Sequence, residues 1–210
     1  MSSISDSSSR ISQITRNTRE TQIQLTLNLD ATFVSAGEPA EINTPLPFLN
    51  HMLNTLATHG RFGLKVQATG DIEVDPHHLV EDMGITLGLA LREALMQDGK
   101  PYAGIERAGC FSFAMDATQA QVALDLCGRP NLLWQVPLIG QPLGTLDPRL
   151  FREFYKGFAD AAQITLHVVV PYADNDHHVI EAGFKAFARA LRQATRVLDA
   201  GGVMSTKGCL

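Results

Sequence analysis

From Gln22 the run QIQLTLNLD places Ile23, Leu25, Leu27 and Leu29 at every second position, the alternation of a strand with one face in a core. The period then changes. In FLNHMLNTLATHG, Phe48, Met52 and Leu56 fall four apart with Leu49 and Leu53 beside them, which predicts a helix with Gly60 as its C-terminal stop. An irregular stretch rich in Gly and Pro, SAGEPAEINTPLP, lies between the two. FGLKVQAT reads as a strand and HHLVEDMGITLGLALREAL as a second helix, ending before DGKPYAG. FSFAMD, AQVALDL, LLWQVPL and ITLHVVV read as further strands, with LFREFYKGFADAA and HHVIEAGFKAFARALRQA as helices. Residues 1–15, rich in Ser with little to bury, are expected to be a disordered tail.

The second half repeats the order of the first. A shift of 102 lays FLNHMLNTLATHGRFGLKV on LFREFYKGFADAAQITLHV, matching Leu53 to Tyr155, Leu56 to Phe158, Ala57 to Ala159 and Val66 to Val168. A shift of 100 then lays His77, His78, Glu81, Leu91 and Arg92 on His177, His178, Glu181, Leu191 and Arg192. An internally duplicated α+β unit is the most economical architecture. Its halves are expected at 16–108 and 109–200, with 201–210 as a mobile C-terminal segment.

Composition agrees with a packed chain. Over 210 residues, 45% are apolar and 19% charged, which excludes a disordered, coiled-coil or collagen-like protein. The net charge of −5 offers no basic footprint for general nucleic-acid binding. No apolar run approaches the ~18–20 residues that cross a bilayer, and MSSISDSSSR lacks the apolar stretch of a signal peptide, so a cytoplasmic protein is expected. Cys110, Cys127 and Cys209 are widely spaced and suggest neither a disulfide framework nor a thiolate zinc site.

The chemistry is concentrated in HHLVE at 77–81 and HHVIE at 177–181. On a helix the first His and the Glu share a face four residues apart, while the adjacent His points ~100° away. Each pair is thus better placed to feed two neighbouring sites than one, and neutral imidazole with carboxylate suits divalent manganese, iron, cobalt or zinc. A single HHxxE is most simply a solvated helix start. Two copies in register, using four of the seven histidines, favour metal binding. His51 lies in the repeated first helix and its counterpart is Glu153, another candidate ligand, while His59 suits a helix C-terminal cap as well as a ligand. His167 matches Lys65 and reads as structural. Arg107 and Arg129 stand beside Gly, Lys185 lies two turns after His177, and Ser205 and Lys207 sit between glycines, all candidates for an anion.

Taken together, DPHHLVEDMGI, NDHHVIEAGFKAFARALRQA, RNTRET, FLNHML, LDLCGRP and the terminal STKG resemble the imidazoleglycerol-phosphate dehydratase family, in the family's order and over nearly the whole chain from Arg16. The resemblance implies a duplicated fold like the second domain of ribosomal protein S5, each half a four-stranded sheet with helices on one face. It implies assembly into a 24-mer with active sites between subunits, and two Mn(2+) per subunit. The matching metal positions are His51, His77, His78, Glu81, Glu153, His177, His178 and Glu181, with Glu153 standing where the family commonly has His. Glu20 and Glu181 match catalytic positions, and Glu20, Arg107, Arg129, Lys185, Ser205 and Lys207 match substrate-binding ones. The implied reaction is dehydration of imidazole glycerol phosphate to imidazole acetol phosphate in histidine biosynthesis, through a metal-bound imidazolate and a diazafulvene. The chain reads FLNHMLNT where the family usually reads FLDHMLDQ, so Asn50, Asn54 and Thr55 depart from the pattern. Two other readings use the same donors: a dinuclear-metal phosphate-ester hydrolase, and a non-catalytic metal-binding assembly protein.

Overall fold

The computed structural model describes residues 10–30, 40–97 and 99–198. Strands β1 (Ile11–Asn17), β2 (Thr21–Asn28) and β3 (Glu41–Asn43) precede helix α1 (Pro47–Gly60), strand β4 (Gly63–Gly70) and helix α2 (His77–Ala94). A short hairpin of β5 (Met96–Gln97) and β6 (Lys100–Pro101) leads to β7 (Ala108–Met115), β8 (Thr118–Asp125) and β9 (Asn131–Gln135). A 3-10 turn at Pro148–Leu150 then opens α3 (Phe151–Ala162), followed by β10 (Thr165–Tyr172) and α4 (Asp176–Ala194).

The two sheets have the same topology, β1-β2-β4-β3 and β7-β8-β10-β9. In each, two antiparallel pairs are followed by one parallel pair, β3 with β4 and β9 with β10, joined through a helix. Alternation along β2 and β8 buries one face of each sheet and leaves the other in water, so the helices cover one face only. Helix α2 lies on β1 and β2 and α4 on β7 and β8, while the halves meet through α1 on α4 and α3 on α2. One continuous core of Leu, Phe and Ala side chains fills the layers between the sheets. Among the described residues no helix is long and apolar enough to cross a membrane.

Three local readings are corrected by the structure. Ile11–Thr15 belong to β1 rather than to a disordered tail. The pattern hides this because β1 buries Ser12 where a strand usually buries an aliphatic residue, and the Ser12 hydroxyl satisfies itself by donating to the Ala90 carbonyl. Glu41–Asn43, inside the stretch read as irregular, form β3 at the sheet edge. Gly60 does not stop α1 but is its last residue, pressed on the Phe62 ring, and the left-handed cap is Arg61 at φ 53°. Gln163 caps α3 at φ 54°, so the two caps keep the shift of 102.

Candidate active site

Helix α4 starts at a built N-terminus. The Asn175 side chain accepts from the His178 amide at 2.8 Å, and the buried Asp176 carboxylate accepts from the backbone N–H groups of Ile139, Gly140 and Gln141 at 2.7–2.9 Å. These bonds fix the turn that presents His177 and His178. One turn on, Glu181 Oε2 lies 3.0 Å from His177 Nε2 and 3.5 Å from His51 Nε2, which α1 brings across from the first half. The three donors lie within 4.8 Å of one another, the one such group among the described residues. Two imidazole nitrogens and a carboxylate oxygen fit a borderline divalent ion.

The side of Glu181 away from the histidines faces Lys185 Nζ at 2.9 Å. Burial pushes the Glu181 carboxyl up, but Lys185 and the hydrogen bonds from His177 and His51 outweigh it and hold the group below its ordinary range. Phe48 packs edge-on against both His51 and His177, with centroids 6.1 and 5.2 Å away, and limits how far either ring can turn. His59 is the basic residue in the last turn of α1. It stands edge-on to Phe113, and burial, with the Lys185 and Arg189 charges, keeps it below its ordinary pKa.

In the first half, His77 Nε2 and Glu81 Oε2 lie 3.3 Å apart at the start of α2. The Glu153 carboxylate is turned onto Arg152 at 2.9 Å, so within this chain the third donor of the repeat does not join them. The adjacent rings of each pair diverge as the helical spacing predicts, with interplanar angles of 79° for His77 and His78 and 89° for His177 and His178. His78 Nδ1 faces Asp71 at 3.1 Å, a bond that raises its pKa, and Glu20 at 3.8 Å. His178 Nδ1 faces Asp174 at 2.9 Å, and the Asn175 amide nitrogen approaches it at the same distance.

Glu20 is exposed on the turn between β1 and β2. That turn is tied to α2 by Asp82, which accepts from Arg16 at 2.7 Å and from the Thr21 hydroxyl at 2.5 Å. Sequence reading overlooked Asp71, Asp82 and Asp174. The signal for Asp82 was present, since it is the Asp of HHLVED and Arg16 and Thr21 frame RNTRET.

Arg107, at φ 69°, places its Nε 2.9 Å from Asp125 Oδ1, and exposed Arg129 follows the next turn. Both stand at the Thr165 end of β10, whereas His177 and His178 follow its Tyr172 end, about 23 Å away at ~3.3 Å per residue. Ser205 and Lys207 lie outside the described residues.

The matched halves, each with a His–Glu pair at the start of a helix, define a duplicated α+β protein with the donor set of a metal-dependent enzyme. The family model described as imidazoleglycerol-phosphate dehydratase matches residues 44–191. The chain belongs to that family, the hydro-lyases of histidine biosynthesis. It is 51% identical over 203 residues to the imidazoleglycerol-phosphate dehydratase of Geobacter sulfurreducens, covering 96% of this chain and all of that one. The Shouchella clausii enzyme is 47% identical over 200 residues, covering 94% and 97%. Crystal structures of the enzymes from Staphylococcus aureus and Pyrococcus furiosus share the fold, with TM-scores of 0.76 and 0.79 and identities of 36% and 34%. They cover 90% and 94% of this chain, and 99% and 100% of their own.

Proposed function

We propose that this chain dehydrates imidazole glycerol phosphate to imidazole acetol phosphate in the cytoplasm, with two Mn(2+) per subunit. The observation that carries the reading is the convergence of His51, His177 and Glu181 with Lys185 alongside, on one of two matched HHxxE turns. When bound, divalent ions supply Lewis acidity to a ring nitrogen and an adjacent oxygen.

The substrate must lose hydroxide from the carbon beside the ring and a proton from the next carbon, which no carbonyl acidifies. Electrons to expel hydroxide therefore come from the ring. His51, His77, His78, His177, His178, Glu81, Glu153 and Glu181 are the chain's donors for the ions that hold it. Glu20, exposed 3.8 Å from His78, moves the proton. Arg107, Arg129, Lys185 and Lys207 neutralise the phosphate and Ser205 donates to it, and that remote binding orients the reacting carbons.

The distance along β10 supports active sites completed between copies, as in a 24-mer. A ring and a phosphate joined by three carbons cannot reach from His177 to Arg129 of one chain, so a second copy supplies one end.

The purified, metal-loaded protein should form an enolisable ketone from the substrate without releasing phosphate. Glu20→Gln should keep metal content and assembly while lowering turnover ~10²–10⁴-fold. Phosphate release would replace this reading with the hydrolase. Metal binding with neither ketone nor phosphate formed would leave the assembly protein.

A further inference from the structure

We propose that a basic cleft where α1 and α4 end binds a small anion carrying two or more phosphate groups. The cleft encloses about 620 Å³, within the range of small-ligand sites, and is walled by Arg10, Arg61, Arg189, Arg192, Arg196 and Phe111. No Asp or Glu lines it among the described residues. His59, at its rim, is two turns of α1 from His51, and Arg189 is two turns of α4 from Glu181. The cleft is therefore about 12 Å along either helix from the His51–His177–Glu181 group.

Five arginines in a chain of net charge −5 require a reason. Two have carboxylate partners, Arg10 with Asp30 at 2.6 Å and Arg196 with Glu106 at 3.0 Å. Arg192 donates to the Leu29 carbonyl, and Arg189 rests on the Phe111 ring at 5.1 Å. Arg61 has no ion-pair partner among the described residues. Burial, then the charges of Arg10 and Arg61, hold Arg192 below its ordinary pKa, so the cations repel one another at a cost to the fold.

Helix dipoles do not account for the cluster, and the internal repeat supplies the control. The equivalent ends of α2 and α3 carry Leu89 for Arg189, Met96 for Arg196 and Gln163 for Arg61, and Glu93 stands even at the negative end of a helix. Arg92 keeps its charge opposite Arg192, and Arg107, which the strand register sets opposite Arg10, keeps its charge too. The fold therefore tolerates neutral residues at three of these places, Arg61, Arg189 and Arg196, and the arginines there serve something that the α1–α4 end of the molecule binds and the equivalent α3–α2 end does not.

The ligand class follows from geometry. One phosphate engages about two guanidinium forks. Here the guanidiniums come from the start of β1, the cap of α1, two successive turns of α4 and the residue beyond its cap, a spread that matches a di- or triphosphate better than one phosphate.

Calorimetric titration of the metal-loaded full-length protein with magnesium-saturated tripolyphosphate, and separately with inorganic phosphate, tests this. We expect one tripolyphosphate per chain, at least tenfold tighter than phosphate and weakening steeply with salt. The double variant Arg61→Gln, Arg196→Met takes the residues found at the equivalent positions of the repeat, Gln163 and Met96, so it should fold, keep its metal and turn over normally, yet bind at least tenfold more weakly. Equal binding by wild type and double variant would assign the anion to the metal centre and overturn the proposal. So would absence of binding to wild type, or no preference over inorganic phosphate.

Discussion

Asp71 holds both carboxylate oxygens at 3.1–3.2 Å from Nδ1 of His78, and the second half repeats the relationship with Asp174 and His178. A proton on Nδ1 shared with the carboxylate fixes the tautomer and leaves the Nε2 lone pair for a ligand. Asp71→Asn should therefore lower divalent-metal affinity about 10–100-fold while the fold stays intact, since Asp71 is half-buried at a sheet end. Metal titration of chelator-stripped protein measures this, and unchanged affinity would remove Asp71 from the site.

The contact between α2 and α3 depends on absent side chains. A Cβ on Gly84 would stand 2.1 Å from the Phe154 carbonyl oxygen, and one on Gly157 would stand 2.9 Å from that of Glu81. Gly84→Ala should destabilise by about 3 kcal/mol, the upper end of overpacking costs. Gly183 is the control, because a Cβ there would meet only the Tyr155 hydroxyl at 3.7 Å. Gly183→Ala should be neutral or gain up to about 1 kcal/mol of helix propensity. Denaturant unfolding of the pair decides whether backbone proximity or glycine as such is at issue.

Tyr155 is buried in the aromatic cluster of Trp134, Phe184 and Phe187, and its hydroxyl has no hydrogen-bond partner among the described residues. Burial pushes its pKa well up. Removing an unsatisfied buried hydroxyl relieves a desolvation cost, so Tyr155→Phe should be neutral or stabilise by up to about 2 kcal/mol. A clear loss of stability in urea would show that the hydroxyl is satisfied after all.

Arg10 binds Asp30 through both its backbone N–H and its guanidinium. Burial raises the Asp30 carboxyl, but these bonds and the Arg10 and Arg192 charges together bring it below the ordinary carboxylate value. A carboxyl lowered in the folded state adds stability above its unfolded pKa of about 3.9, and that stability is lost as pH falls through the lower folded value. Because the pair is partly exposed, Asp30→Asn should cost at most about 1 kcal/mol at neutral pH. The difference should vanish in acid once both states are protonated. A pH-independent difference would point to packing rather than charge.

How much of the protein is legible in its sequence can be followed through single residues. The alternation around Leu25 and the helical spacing around Met52 are local, and each became the element it predicts. The register of the repeat was also legible, because residues related by a duplication keep equivalent neighbours; the left-handed caps Arg61 and Gln163 sit on it. Ser12 was not. Its burial rests on a carbonyl 78 residues away that its own segment cannot reveal. Asn50, a departure from the family's Asp, both accepts from the Thr44 N–H and donates to its carbonyl, which an ionised carboxylate cannot do.

The sequence by itself determined the duplicated architecture through periodicity and spacing, the family through its motifs, and the residue types of the candidate metal donors, since all of these are properties of a chain read along its length. Only the tertiary structure decided which donors meet. His51 is 126 residues from His177, and nothing local states that α1 crosses to α4 of the other half, or that Glu153 turns to Arg152. The same holds for the arginine cleft, whose members come from both ends of the chain and whose charge exists only once packing brings them together. Side-chain chemistry is written in one dimension, while fields and coordination depend on distances that folding sets.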